Sequence, residues 1–414
     1  MDKLVKPSKY NASLMIPSSK SYMQRAVALA ILSQGETVLK NPDFSNDSSS
    51  ALKIAETLGC KVVREDSLVK ITPKNSLKAK QISVGEAGLG LRLFTPVCAL
   101  LGGGLTIQGE GSLLKRPMSM MEKPMADLGA KISLSNGFVP ITIHSGLKGG
   151  FAEIDGSQSS QFLTGLLTAL PKAEKDSVLK VENLKSVPYV QMTLDIIEKF
   201  GGQIQNIDFK EFRIKGKQKY TATEYQVEGD WSSAAAHLIA GAIAGKAVIK
   251  GLNPNSLQAD RAVMKVLEQT GAEIVISNDE IKVSKKDLRA YNFDATDCPD
   301  LFPVLASLAA NCSGESVIKG VSRLAHKESD RALAIKEEFF KIGIQVDLEG
   351  DFMKIKGGKI SGGVTVSSRN DHRMAFSLAV ATLNADKQIV ITDAQSVKKS
   401  YPRFWEDFEK SVEI

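Results

Sequence analysis

The chain has 414 residues, with 53 Lys and Arg against 47 Asp and Glu for a formal charge of +6; 43% of its residues are apolar and 24% charged. That length suits two domains of ordinary size, each with its own core, and the balance is that of a soluble globular protein, which sets aside disordered and fibrous classes. The positive excess is spread along the chain with no long run of like charges, so a small anionic substrate fits it better than nucleic acid.

Four cysteines, Cys60, Cys98, Cys298 and Cys312, stand far apart with no CxxC pair. This argues against a zinc site or a disulfide framework and suits a reducing compartment. The opening MDKLVKPSKYNASLMIP lacks the apolar segment of a signal peptide. The longest apolar stretch, residues 234–249, is broken by His237 and Lys246 and is too short to span a membrane. A cytoplasmic protein without membrane contact is expected.

In chain order, six segments open alike: SKSYMQRAVALAIL, GEAGLGLRLFTPVCALL, SQSSQFLTGLLTAL, GDWSSAAAHLIAGAI, DCPDLFPVLASLAA and NDHRMAFSLAVATL. Each begins with small or polar residues and runs into a helix that is apolar on every side, which predicts a core position. Each is followed by a short β-branched strand (ETVLKN, LTIQG, SVLKVEN, AVIKG, ESVIKG, QIVITD). In most copies a second, amphipathic helix then ends at a glycine, as in ALKIAETLGC and VMKVLEQTGAE. The predicted fold class is α/β, with a βαβαββ unit repeated six times in two domains of three units. Residues 18–228 are expected to form one domain, and residues 229–414 together with 1–17 the other.

Parallel first helices would point their N-termini the same way, and each N-terminus offers free N–H groups and partial positive charge to an anion. Candidate residues gather at those ends. They include Lys20, Ser21 and Arg25 in SKSYMQR, Gly88 in GEAGLGLR, Ser159, Ser160 and Gln161 in SSQ, Asp300 in DCPD, and Arg373 in NDHRM. Arg116 in KRPM, before an expected proline-initiated helix, Ser186 and Tyr189 in SVPY, and Lys399 in KKSYP lie elsewhere. Taken singly, Ser19 reads equally well as a helix cap, and Ser159 and Asp300 read better as caps than as ligands. HKESDR, residues 326–331, clusters Lys327, Glu328 and Arg331. Seven cations, Lys20, Arg25, Arg116, Lys327, Arg331, Arg373 and Lys399, then face only Asp300 and Glu328, which implies ligands carrying more than one anionic group.

PSSKSYMQRA, GEAGLGLR, KRPM, DGSQSSQFLTGLL, SVPY, GDWSSAA, NSLQADR, PDLFPVLASLAA, HKESDR, NDHRMA and KKSYP, in that order, resemble the 3-phosphoshikimate 1-carboxyvinyltransferase family of enolpyruvyl transferases over essentially the whole chain. The resemblance implies two domains, each an inside-out α/β barrel of three βαβαββ units, joined by a double crossover. It implies transfer of the enolpyruvyl group of phosphoenolpyruvate to the 5-hydroxyl of shikimate 3-phosphate, with release of phosphate and no metal or organic cofactor. Lys20, Ser21, Arg25, Ser159, Ser160, Gln161, Ser186, Tyr189, Asp300 and Lys327 match positions that hold shikimate 3-phosphate. Lys20, Gly88, Arg116, Gln161, Arg331, Arg373 and Lys399 match those that hold phosphoenolpyruvate. Asp300 matches the base, Glu328 the acid, and Lys20 counts with them as catalytic. A monomer is expected.

Glu86 stands where the family often has Asn, and with Leu89 it bears on phosphoenolpyruvate and glyphosate affinity; Ser18 stands in place of Gly, and Arg323 in place of Asn. The sister enolpyruvyl transferase acting on UDP-N-acetylglucosamine carries a catalytic Cys near the KRPM position, whereas this chain has no Cys between Cys98 and Cys298. A non-catalytic anion-binding repeat protein would lack Asp300 or Glu328, and both are present.

Overall fold

The computed structural model describes residues 1–74, 79–157, 159–277 and 280–413. Gln158 of the SQSSQ stretch is outside the described residues. Two compact units emerge: Ser18–Glu228, and Met1–Pro17 with Gly229–Ile414.

In the first unit three four-stranded sheets repeat one order. Gln81–Ser83 runs parallel to Leu105–Gln108, which is flanked on its other side by the antiparallel pair Phe138–Ile143 and Ile132–Ser135. Phe151–Asp155, Ser177–Glu182, Glu211–Ile214 and Ile204–Ile207 repeat the arrangement. The sheet built on Thr37–Lys40 takes its parallel strand from the far end of the unit, Glu224–Gln226. In the second unit, Lys9–Met15 is the parallel partner of Gly245–Lys250, and Asn292–Asp294 that of Glu315–Lys319. The last repeat is shorter than βαβαββ. Thr365–Ser367 pairs with Ile389–Thr392, and Lys3–Val5 supplies the antiparallel strand that no later hairpin provides.

In each repeat one of the apolar helices precedes the central strand of the sheet, and these fill the cores. In Lys20–Leu32 every residue but Ser21 is buried; in Ser160–Ala169 every residue but Gln161; in Trp231–Ala244 every residue but Ser232. Phe302–Ala310 and His372–Thr382 are buried throughout. Small Ala and Gly residues let such helices pack closely, and the apolar clusters of the two units share no residue. The amphipathic outer helices Asn46–Thr57, Val187–Lys199, Val263–Thr270 and Arg331–Lys341 end just before glycines 59, 201, 271 and 343, all with φ between 81° and 93°. That left-handed conformation costs a residue with a Cβ, and it satisfies the last carbonyls of the helix.

Candidate active site

In the second unit, charges that the sequence scatters from residue 300 to residue 371 meet around one guanidinium. Arg331 opens the helix Arg331–Lys341 and its side chain is only 1% exposed. A cation there opposes the helix dipole and loses its hydration, so it survives only among anions. It finds three: Nη1 donates to Asp300 Oδ1 at 2.7 Å, Nη2 to Glu328 Oε2 at 2.9 Å, and Nε to Asp371 Oδ2 at 2.8 Å. Lys327 Nζ stands 3.4 Å from the same Asp300 oxygen, and Arg373 Nη2 3.7 Å from Oδ2. Asp300 is not the cap of the helix behind it. Leu301 holds that position, and the carboxylate turns to the cations.

The electrostatic consequences follow from this packing. Burial by itself would raise the Asp300 pKa, but Lys327, Arg331 and Arg373 outweigh it and hold the carboxyl well below the ordinary range. Burial works against the charge of Arg331, and Asp371, Glu328 and Asp300 more than restore it. Lys327 is lowered by burial, which Asp300 only partly offsets. Asp260, 1% exposed and hydrogen-bonded by the Ser232 hydroxyl, is pushed up to about 7 by burial and then by the charge of Asp300. Two neighbouring carboxyls thus sit on opposite sides of the usual value. Arg373 is 2% exposed, and its Nε and Nη1 have no hydrogen-bond partner among the described residues. Burying donors of this kind is costly unless something anionic meets them.

In the first unit Lys20 donates to Asp47 at 2.8 Å. Arg25 is 1% exposed and spans three helices: Nε donates to Thr193 Oγ1 at 2.9 Å, Nη1 to the Ser21 carbonyl at 2.8 Å, and Nη2 to the Tyr189 carbonyl at 3.2 Å and to Thr164 Oγ1 at 3.5 Å. Its burial without a carboxylate among these contacts lowers its pKa to about 10. Ser159 does cap its helix, accepting from Gln161 N at 3.2 Å, while the Gln161 amide oxygen accepts from Arg92 at 3.2 Å. Ser160 is buried as the first residue of that helix. Ser186 is held at φ 57°, an uncommon backbone for Ser, just before the proline-led helix Val187–Lys199. Gly88 lies against Arg116: a Cβ on Gly88 would stand 2.5 Å from Arg116 Nη1. Lys399 donates to the Asn370 carbonyl at 2.6 Å, on the turn that leads to Arg373.

Two expectations need correction, and one alternative reading, Ser19 as a cap, is not met. Asp300 and Glu328 are not the only acidic companions of the cations, because Asp47, Asp371 and Asp260 fold in beside them. Within each unit the charges are more nearly balanced than a count of motif residues implies. Pro117 starts no helix: Arg116 ends the 3-10 turn Gly111–Lys115, and another such turn, Ser119–Met121, follows. Ser19 occupies the cap position of Lys20–Leu32 but its hydroxyl makes no capping bond. Glu86 has a local task as well, accepting from Ser112 N at 3.0 Å. Of the residues missed, Asp47, Asp371 and Asp260 are anionic neighbours of chosen cations, and a buried cation's need for an anion was the available signal; Arg92, which donates to Gln161, carried no such signal.

The family model described as EPSP synthase (3-phosphoshikimate 1-carboxyvinyltransferase) matches residues 4–408. The chain belongs to this family. Among its curated relatives, the 3-phosphoshikimate 1-carboxyvinyltransferase of Clostridium perfringens is 38% identical over 98% of this chain and 97% of its own length. That of Clostridioides difficile is 36% identical over 97% and 95%. A solved EPSP synthase from Acinetobacter baumannii superposes with a TM-score of 0.84 over 99% of this chain and 98% of that one; at 24% identity this supports the fold alone.

Proposed function

We propose that Asp300 and Glu328 are the proton-transfer pair of this chain's enolpyruvyl transfer. The reaction of the family moves the enolpyruvyl group of phosphoenolpyruvate onto the 5-hydroxyl of shikimate 3-phosphate and releases phosphate. The observation that carries the proposal is the shared guanidinium: Arg331 bonds Asp300 at 2.7 Å and Glu328 at 2.9 Å, bringing two carboxyls of different surroundings to one place.

Asp300, ionised, takes the hydroxyl proton as the oxygen bonds C2 of phosphoenolpyruvate, and Glu328 delivers a proton to C3. Collapse then breaks the bond between C2 and the phosphate oxygen, and C3 gives up a proton to restore the double bond. Facing three cations, Asp300 is a weak base. Substrate phosphates and carboxylates compete for those cations, and each one engaged returns basicity to Asp300. Arg331, Arg373, Arg116 and Lys399, with Lys20, Gly88 and Gln161, are assigned to phosphoenolpyruvate. Ser21, Arg25, Ser159, Ser160, Ser186, Tyr189 and Lys327, with Lys20, Gln161 and Asp300, are assigned to shikimate 3-phosphate. Positioning by such clamps supplies much of the acceleration.

The reading includes a cytoplasmic monomer. The cytoplasmic part is supported by four cysteines that are free and buried, as a reducing compartment favours. Phosphate release with the two substrates tests the reaction, with UDP-N-acetylglucosamine as the competing acceptor. Wild type should release phosphate only with shikimate 3-phosphate, and Asp300→Ala should lose at least about a hundredfold in kcat. Wild type without turnover contradicts the reaction, and a fully active variant contradicts the role of Asp300.

A further inference from the structure

We infer that Asp371 is a positioning residue that aims Arg331 at phosphoenolpyruvate, an inference that rests on the assignment of Arg331 above. Asp371 is fully buried and its two oxygens do three things at once. Oδ2 accepts from Arg331 Nε at 2.8 Å while Oδ1 accepts from Nη2 at 3.3 Å, a two-pronged grip that fixes the plane of the guanidinium. Oδ1 also caps the helix His372–Thr382 through the Arg373 amide at 2.9 Å, and Oδ2 accepts from the hydroxyl of Ser329, the neighbour of Glu328, at 3.1 Å. One carboxylate therefore sets the relative placement of Arg331, Arg373 and the segment bearing Glu328.

The chain is bent to deliver it. Arg369 and Asn370, just before Asp371, both have left-handed backbones, at φ 54° and 55°. For residues with a Cβ this conformation persists only where its surroundings hold it. Buried Glu338 grips Arg369 at 3.0 Å and accepts from Ser367 N at 2.9 Å, and Lys399 holds the Asn370 carbonyl. A turn that only capped a helix would not need this support, since Ser, Thr or Asn caps as well as Asp.

Asp371→Asn and Asp371→Ser each keep an oxygen to cap the helix and lose the charged two-pronged grip. The KM for each substrate, kcat and the melting temperature are measured for both, with Arg331→Lys alongside. The expected result is a KM for phosphoenolpyruvate raised about tenfold or more and a KM for shikimate 3-phosphate within about twofold of wild type, whatever the loss in melting temperature from removing one anion beside a buried guanidinium. A KM for phosphoenolpyruvate within about twofold of wild type in Asp371→Asn overturns the inference. If Arg331→Lys raises that KM in the same assay, only the positioning role falls; if it too is silent, the assignment of Arg331 falls with it. Equal loss for both substrates with a lowered melting temperature marks a structural residue and also overturns it.

Discussion

Asp260 and Asp300 show how far a side chain's behaviour depends on neighbours that are remote in sequence. Both are aspartates in the same cluster, yet one is pushed up to about 7 and the other held well below the carboxylate range. A carboxyl raised on folding stabilises the protein below its unfolded pKa, near 4, and loses that contribution as pH rises through the folded value near 7. Asp260→Asn, which mimics the protonated acid, should therefore be neutral in stability at pH 4 and stabilising by roughly 1–3 kcal/mol at pH 8, read from urea unfolding at the two pH values. Equal effects at both would show that Asp260 is not held protonated. None of this was legible in NSLQADR, where Asp260 is one polar residue in a turn. Arg331 stood out because its motif is dense in charge. Asp371 did not, because Asp before a helix reads as an ordinary cap, and it is one, with the grip on Arg331 added through a contact 40 residues away.

At the scale of elements, the apolar helices were the most legible part of the chain. Their Ala- and Leu-rich runs have no polar face, so they could only be central. Their ends were less legible. Ser21, Gln161 and Ser232 are the residues that break the burial of their helices, all within the first turn, and a sequence pattern does not show which side of a helix start is left open. Gly88 was legible only as flexibility, whereas its structural reason is the Arg116 guanidinium lying where a Cβ would go. Gly88→Ala should push that side-chain tip aside at little cost to a helix that favours Ala over Gly. The expected outcome is an unchanged melting temperature with a KM for phosphoenolpyruvate raised about tenfold, the loss of one charge-assisted contact. An unchanged KM would remove Arg116 from the phosphoenolpyruvate assignment.

At the scale of the whole molecule, six repeats predicted an α/β fold, and the family match together with the Acinetobacter baumannii structure agrees. What the repeat could not show is how strands are lent across it. Glu224–Gln226 completes the sheet of Thr37–Lys40, Lys9–Met15 that of Gly245–Lys250, and Lys3–Val5 the last, unfinished one. Strand pairing between residues so far apart leaves no local trace, because period-two alternation marks a strand without naming its partner. The same holds for the site, whose chemistry depends on side chains brought together from distant repeats.

Under the proposed reaction Glu328, held beside Asp300 by Arg331, protonates C3 of phosphoenolpyruvate. Turnover in D2O, with the product methylene followed by NMR, tests it most directly. Wild type should place solvent deuterium on that carbon, and Glu328→Gln, still able to bind both substrates, should lose turnover and deuterium incorporation together. Incorporation at the wild-type rate in Glu328→Gln would mean that another group protonates C3.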